Sequence, residues 1–381
     1  MNFSANVNSE PNHAGPLSFA ICSTKRNIMN GIKFACKTIR LYLEAYTMQT
    51  FIEKIPKAEL HVHLEGTLEP ELSFALAKKN DVKLDYKTPE EFIAAYDFHD
   101  LPSFLNIYYA GMHVLIDEED FYQLTYAYLT KARSQNTLYA ELFFDPQAHT
   151  SRGVAFDTVI TGIHKAQIDA EQKLGIKSQL ILCFLRDMST ESAMEHLNMA
   201  TPYIDWLVGI GLDSDERNNP PIKFAEVFAK AKKMGLKLTM HCDVNQLNTL
   251  SHIEQCIKDI EVDRIDHGVN SLESDELCKL IKDKKLGLTV CPVSNQFVVQ
   301  SLTSDEIHSM LEKDMLVTIN SDDPAYFRAY LNENLIALQE EGKFTHAQIA
   351  TLVSNAFTVA WLDEETKNKY LGLVQEYISS Q

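Results

Sequence analysis

Ala58-Glu59-Leu60-His61-Val62-His63-Leu64-Glu65-Gly66 sets two histidines on alternate positions of a short apolar run. Side chains alternate across a strand, so His61 and His63 project to one face, and a neutral imidazole is a common zinc ligand. The pair alone carries little weight, because in a chain with 13 histidines a His-x-His recurs by coincidence. Its surroundings decide. From residue 55 onward, short β-branched or apolar runs alternate with longer helical patterns, the signature of repeated βα units around a parallel sheet. The runs are Leu60–Leu64, Leu138–Phe144, Gln179–Leu185, Trp206–Leu212, Leu236–His241, Arg264–Val269, Gly287–Cys291 and Leu316–Ile319, with amphipathic stretches such as Ile222–Met234 and Thr303–Lys313 between them. They predict an α/β chain closed as a (β/α)8 TIM barrel, with a helical region over Thr345–Ser379 completing the outer ring. An insertion after the first strand, residues 70–137, holds apolar repeats at helical spacing around Phe92, Phe104, Tyr108 and Phe121 and predicts helices that roof the barrel mouth.

With 381 residues the chain accommodates such a barrel as one domain, assigned to residues 48–381. Residues 1–47 differ: Lys25, Arg26, Lys33, Lys37 and Arg40 face only Glu10 and Glu44, so this segment reads as a basic extension outside the domain. An organelle-targeting peptide, a poorly ordered extension, an early start ahead of Met48 and a short packed helix over Ile39–Tyr46 all fit it. A net charge of -18 disfavours nucleic acid or an anionic membrane surface as partner and favours a small molecule. Seven cysteines without a Cys-x-x-Cys pair suggest reduced thiols and a cytoplasmic protein, and no run approaches the length of a membrane span. Oligomeric state is not legible.

Polar groups gather where barrel enzymes build active sites, at the carboxyl ends of strands. His61 and His63 end the first, His241 the fifth, Asp266-His267-Gly268 lies on the sixth, and Ser321-Asp322-Asp323-Pro324 follows the eighth. Singly these are ordinary: a lone histidine is more often a satisfied core residue, and Asp-Asp-Pro is a common turn. Jointly, three imidazoles and one carboxylate from these strand ends suit a single zinc ion with a position left for water. His13, His149, His164, His196, His252 and His308 have no such placement and read as surface or structural, with some reservation for His149. Cys242 and Cys291 lack an evident general base and read as small packed side chains.

Ala58–Gly66, His267-Gly268, Thr289-Val290-Cys291-Pro292-Val293-Ser294-Asn295 and Ser321–Pro324 resemble the adenosine and adenine deaminase family of the amidohydrolase superfamily, from about residue 54 to the end. Within it, Phe143-Phe144-Asp145-Pro146-Gln147 and Gly211-Leu212-Asp213-Ser214 look closer to the adenine deaminase branch. The resemblance implies hydrolysis at C6 of a purine: zinc-activated water attacks C6, N1 takes a proton and the 6-amino group leaves. It implies zinc binding by His61, His63, His241 and Asp322, with His267 orienting the attacking water and Asp322 also carrying its proton. It implies hydrogen bonding of Asp323 to N7 of the ring, and it places Ser214 in the substrate site. The absence of a lysine after the fourth strand implies one metal rather than two.

The fifth strand departs from the family, whose His-Ala-Gly-Glu carries the acid for N1, whereas this chain reads His241-Cys242-Asp243-Val244. Three explanations stand: Asp243 supplies the proton after a local change of backbone path; the substrate is a 6-substituted purine, such as an N6-substituted adenine of cytokinin type; or catalysis is impaired and the barrel binds purines. General acid catalysis is worth about 10²–10⁴ in rate, so a chain with no replacement would be severely impaired on adenine. Adenosine as substrate, and a different amidohydrolase reaction on a cyclic amide or pyrimidine, are further alternatives. Phe98, Tyr108 and Tyr109 read either as lining of the mouth or as helix core.

Overall fold

Eight parallel strands follow one another around the sheet in chain order: β1 (Lys57–His63), β2 (Thr137–Phe144), β3 (Lys177–Leu185), β4 (Leu207–Asp213), β5 (Lys237–Cys242), β6 (Arg264–His267), β7 (Gly287–Val290) and β8 (Leu316–Ile319). This computed structural model describes residues 48–96 and 101–381, without the side chains of residues 101, 102 and 106. The chain divides into units Met1–Thr50 and Phe51–Gln381. The basic segment 1–47 and Phe98 lie outside the described residues. Helices follow the strands in turn, as a (β/α)8 barrel requires.

The ends of the strands have local causes. β1 starts at Lys57, earlier than its apolar run, because the buried Lys57 ammonium donates to the carbonyls of Ile52 at 2.7 Å and Ile55 at 2.8 Å. β6 stops at His267, two residues short of the apolar run, because His267 and Gly268 take left-handed φ of 56° and 72°. β7 stops before Cys291 because Pro292 opens the next helix, its fixed φ suiting a first turn that needs no N–H.

The sheet returns on itself at β1. Val62 bridges Asp322, the His63 N–H donates to the Asp322 carbonyl at 3.0 Å, the Asp322 N–H donates to the His61 carbonyl at 3.1 Å, and the Leu60 N–H donates to Asn320 Oδ1 at 2.8 Å. Polar side chains are buried among the strands in pairs. Arg264 on β6 forms an ion pair with Glu141 on β2 and donates to the Leu60 carbonyl at 3.1 Å, and Tyr128 donates to Glu59 at 2.6 Å. A buried charge must be paired in this way to be tolerated.

Between β1 and β2 stand the helices Pro70–Lys79, Pro89–Ala94, Leu101–Gly111 and Glu118–Ser134. The last opens on a capping box in which Asp117 and Asp120 each accept from the other's backbone N–H. Phe104, Tyr108 and Met112 of the insertion join Ala325, Tyr326 and Phe327 in one apolar cluster. The segment following β8 is thereby tied to the insertion following β1. Among the described residues no helix is long and apolar enough to cross a membrane, and the described cysteines are all free.

Candidate active site

Strands β1, β5 and β6 and the turn after β8 bring His61, His63, His241, His267 and Asp322 together. His61, His63, His241 and Asp322 offer ligand atoms that all lie within 4.8 Å of one another. Asp322 Oδ1 stands 3.3 Å from His61 Nε2 and 3.5 Å from His63 Nε2, and the Nε2 atoms of His63 and His241 are 3.1 Å apart.

The outer nitrogens settle how these imidazoles are protonated. The Thr289 hydroxyl donates to Asp266 Oδ1 at 2.8 Å, so toward His61 Nδ1, 2.9 Å away, it can only accept. His241 Nδ1 faces the carbonyl of Leu212 at 3.1 Å, which also only accepts. Both rings thus carry their proton on Nδ1 and turn the Nε2 lone pair inward, the orientation that a supporting hydrogen bond gives to metal-bound histidine. His61 Nε2 is buried without a hydrogen-bond partner. Burial lowers the His63 pKa to about 4 and takes that of His241 well below its ordinary value. Asp322, despite burial, is held well below the usual carboxylate range by His61, His267 and His63. Neutral imidazoles around an ionised carboxylate form a donor set suited to one divalent ion. A second grouping, His61, His267, Cys291 and Asp322, shares two of these residues, but burial pushes the Cys291 thiol up and its Sγ faces the Thr289 carbonyl at 3.7 Å.

A cavity opens onto this group. Asp243, Val244, His267, Ser214, Asp323, Asp145 and Asp213 line it with Tyr108 and Tyr109 from the insertion, so the sequence-derived residues Asp243, Asp323, Ser214 and His267 meet in one space. Asp243 Oδ1 lies 3.2 Å from His267 Nε2. Burial pushes the Asp243 carboxyl up to about 7 while His267 opposes the rise; the pKa of His267 is raised, with burial working against Asp243 and Asp322. Asp323, beside Asp322, is pushed well above its ordinary value by burial and then by that neighbour. Gly66 makes room for it: a Cβ there would sit 2.0 Å from Asp323 Oδ1. Ser214, His267 and Asp322 all have positive φ, of 71°, 56° and 63°.

Some contributors carry no signal in the sequence. Glu216 accepts the Asp243 N–H at 2.6 Å and faces His252 Nδ1 at 2.8 Å, fixing the loop from which Asp243 reaches inward. Glu65 accepts the Asp145 N–H at 3.1 Å and faces His149 Nε2 at 2.8 Å. His149 and His252 are therefore buried structural partners of carboxylates, as His196 is of Thr150 at 2.7 Å. Asp145 and Asp213 lie within Phe143–Gln147 and Gly211–Ser214, where sequence pattern gives them no role, and both line the cavity.

The family model for adenosine deaminase matches residues 56–377. A deaminase of Schizosaccharomyces pombe described as uncharacterized is 49% identical over 87% of this chain and 98% of its own length. An adenine deaminase of Psychrobacter cryohalolentis is 46% identical over 87% of this chain and 100% of its own. Among solved structures, the adenine deaminase of Arthrobacter aurescens superposes with a TM-score of 0.82 at 40% identity, over 85% of this chain and 99% of that one.

Proposed function

Since the chain belongs to the adenosine deaminase family and is a hydrolase that removes the 6-amino group of a purine, we propose that its substrate is free adenine and that zinc occupies the His61, His63, His241 and Asp322 group. A divalent ion held by these four residues would supply polarisation of a water molecule, lowering its pKa to roughly 7. His267 orients the attacking water, and Asp322 takes one of its protons as the C6–O bond forms. Asp243 gives a proton to N1, and Asp323 hydrogen-bonds N7. The C6–N bond then breaks with its electron pair on nitrogen, the leaving amine takes the proton from Asp322, and the new hydroxyl returns a proton to Asp243. The observation that carries this reading is the position of the Asp243 carboxyl, in the same cavity as the ligand group and 3.2 Å from His267. Relatives named adenine deaminase, similar over nearly their whole length, support the choice of base.

A second reading takes N6-substituted adenines as preferred substrates. Val244 stands where the family has glutamate, and Phe104, Leu105, Val298 and Phe327 add further apolar lining to the same cavity, which suits an alkyl group on the leaving amine. Initial rates of the zinc-loaded protein on adenine, adenosine, N6-methyladenine and N6-isopentenyladenine separate the readings. Adenine turned over best supports the first, and a preference for the isopentenyl derivative supports the second. Absence of hydrolysis on all four, with one zinc bound per chain, sinks both.

A further inference from the structure

Asp266 lies on β6 one position before His267, in register with His241 on β5 and Thr289 on β7. It is fully buried and does not line the cavity, so it acts on the site only through its neighbours. Both of its oxygens are engaged: Oδ1 accepts the Thr289 hydroxyl at 2.8 Å and Oδ2 accepts the Thr239 hydroxyl at 2.7 Å. Through Thr289 the carboxylate reaches His61, whose Nδ1 stands 2.9 Å from that hydroxyl and 3.9 Å from Asp266 Oδ1. His241 Nδ1 stands 3.6 Å from Asp266 Oδ2. One carboxylate thus lies behind two of the three imidazoles, on the side opposite their inward Nε2 atoms. The guanidinium of Arg264, its Nε 3.7 Å from Asp266 Oδ1, forms its closer ion pair with Glu141 and donates to the Leu60 carbonyl at 3.1 Å. Arg264 and Glu141 balance each other, and the charge of Asp266 is left over. A buried charge with no counter-charge of its own is costly and calls for an explanation.

The counter-charge follows from the zinc reading proposed above, on which this inference rests. A divalent ion with three neutral imidazoles and the Asp322 carboxylate would leave one positive charge buried at the end of the barrel. We infer that Asp266 is a positioning residue of that site: it balances this charge from behind, and it holds the Thr289 hydroxyl as an acceptor so that His61 keeps its proton on Nδ1. Hydrogen-bonded carboxylates behind ligating histidines fix the tautomer and ring orientation and raise the basicity of the ligand. An uncharged amide at this position reverses the logic. In Asp266→Asn the amide N–H can donate to Thr289, whose hydroxyl is then free to donate to His61 Nδ1, and the ring proton moves to Nε2, where it blocks the lone pair that faces the ion.

Zinc-loaded full-length protein is titrated with a coloured chelator of known zinc affinity, and the metal-free forms are melted by circular dichroism. Asp266→Asn is expected to hold zinc about 10–100-fold more weakly than the wild type. Thr289→Val cuts the link from Asp266 to His61 but leaves the Thr289 carbonyl 3.2 Å from Nδ1, so a loss of about tenfold is expected, with Thr289→Ser within about threefold of the wild type. Should Asp266→Asn not fold, the two Thr289 variants decide alone. Zinc affinity within about threefold of the wild type in Asp266→Asn and Thr289→Val overturns the inference and leaves the zinc reading standing. A lower metal-free melting temperature with unchanged zinc affinity overturns it too, being the mark of a role confined to packing. A wild type that binds no zinc overturns both.

Discussion

Asp243 occupies the cavity one position earlier than the family's acid and one methylene shorter, with its N–H fixed by Glu216 and its carboxyl against His267. Replacing it by asparagine keeps the shape and removes the proton. Asp243→Asn should lower kcat on the best substrate by about 10²–10⁴ with zinc content unchanged, and unaltered kcat would remove Asp243 from the chemistry. Gly66 gives a second expectation at this scale. A Cβ there would meet Asp323 Cα at 2.8 Å as well as its carboxylate, and backbone cannot swing aside as a flexible side chain can. Gly66→Ala should therefore displace Asp323 and raise KM for the purine well before it unfolds the protein; kinetics with circular dichroism at matched temperature check this. That His61, His63, His241 and Asp322 would gather was legible because each sits at or just after a strand end, where an apolar pattern runs into a polar side chain. Glu65 and Glu216 were not legible. Their partners His149 and Asp243 lie 84 and 27 residues away, and only the folded barrel makes those pairs.

At the scale of elements, the helix Phe156–Leu174 packs on the helix Glu118–Ser134 through Gly162. A Cβ at Gly162 would stand 2.3 Å from the Glu118 carbonyl oxygen and 2.8 Å from Phe121 Cβ. Helix propensity alone favours alanine over glycine by about 1 kcal/mol. The overlap reverses that sign, and Gly162→Ala is expected to destabilise by about 1–3 kcal/mol, measured as a lower urea midpoint. A raised midpoint would mean that the two helices separate at no cost. Strand identity was legible here from apolar runs, but strand ends were not. β6 ends in two left-handed residues, a conformation that no hydrophobic pattern records. The helical spacing of the insertion was legible too, whereas its contact with Tyr326 and Phe327 depends on closure of the barrel.

For the whole molecule, the charge on Lys57 couples stability to pH. Burial lowers its pKa from 10.5 to about 7, with Glu53 opposing. Below about pH 7 both folded and unfolded chains hold this proton, so the group adds no slope. Between 7 and 10.5 the unfolded chain binds more protons than the folded one, and stability rises with pH. Relative to Lys57→Met, the wild type should gain stability over that interval at up to about 1.4 kcal/mol per pH unit, read from urea titrations; parallel curves would contradict the assignment. Metal removal acts at the same scale. On the proposed zinc site, one ion would join ligands from β1, β5 and the turn after β8, so chelation should lower the melting temperature, and added zinc should restore it with a logarithmic dependence on free metal. Unchanged melting across the titration would argue against the shared site.

The junction of β1 with the turn after β8 also orders events in time. Leu60 and Asn320, which hydrogen-bond there, are 260 residues apart, and the bridge between Val62 and Asp322 lies between two residues of the ligand group, His61 and His63, and a third. On the ribosome β1 emerges early and waits, its edge unpaired, until β8 arrives. A nascent chain that has not made this last connection lacks Asp322 beside His61, His63 and His241. On the proposed site, catalytic competence would therefore require this last connection, and a chain that lacks it would present an unpaired strand edge.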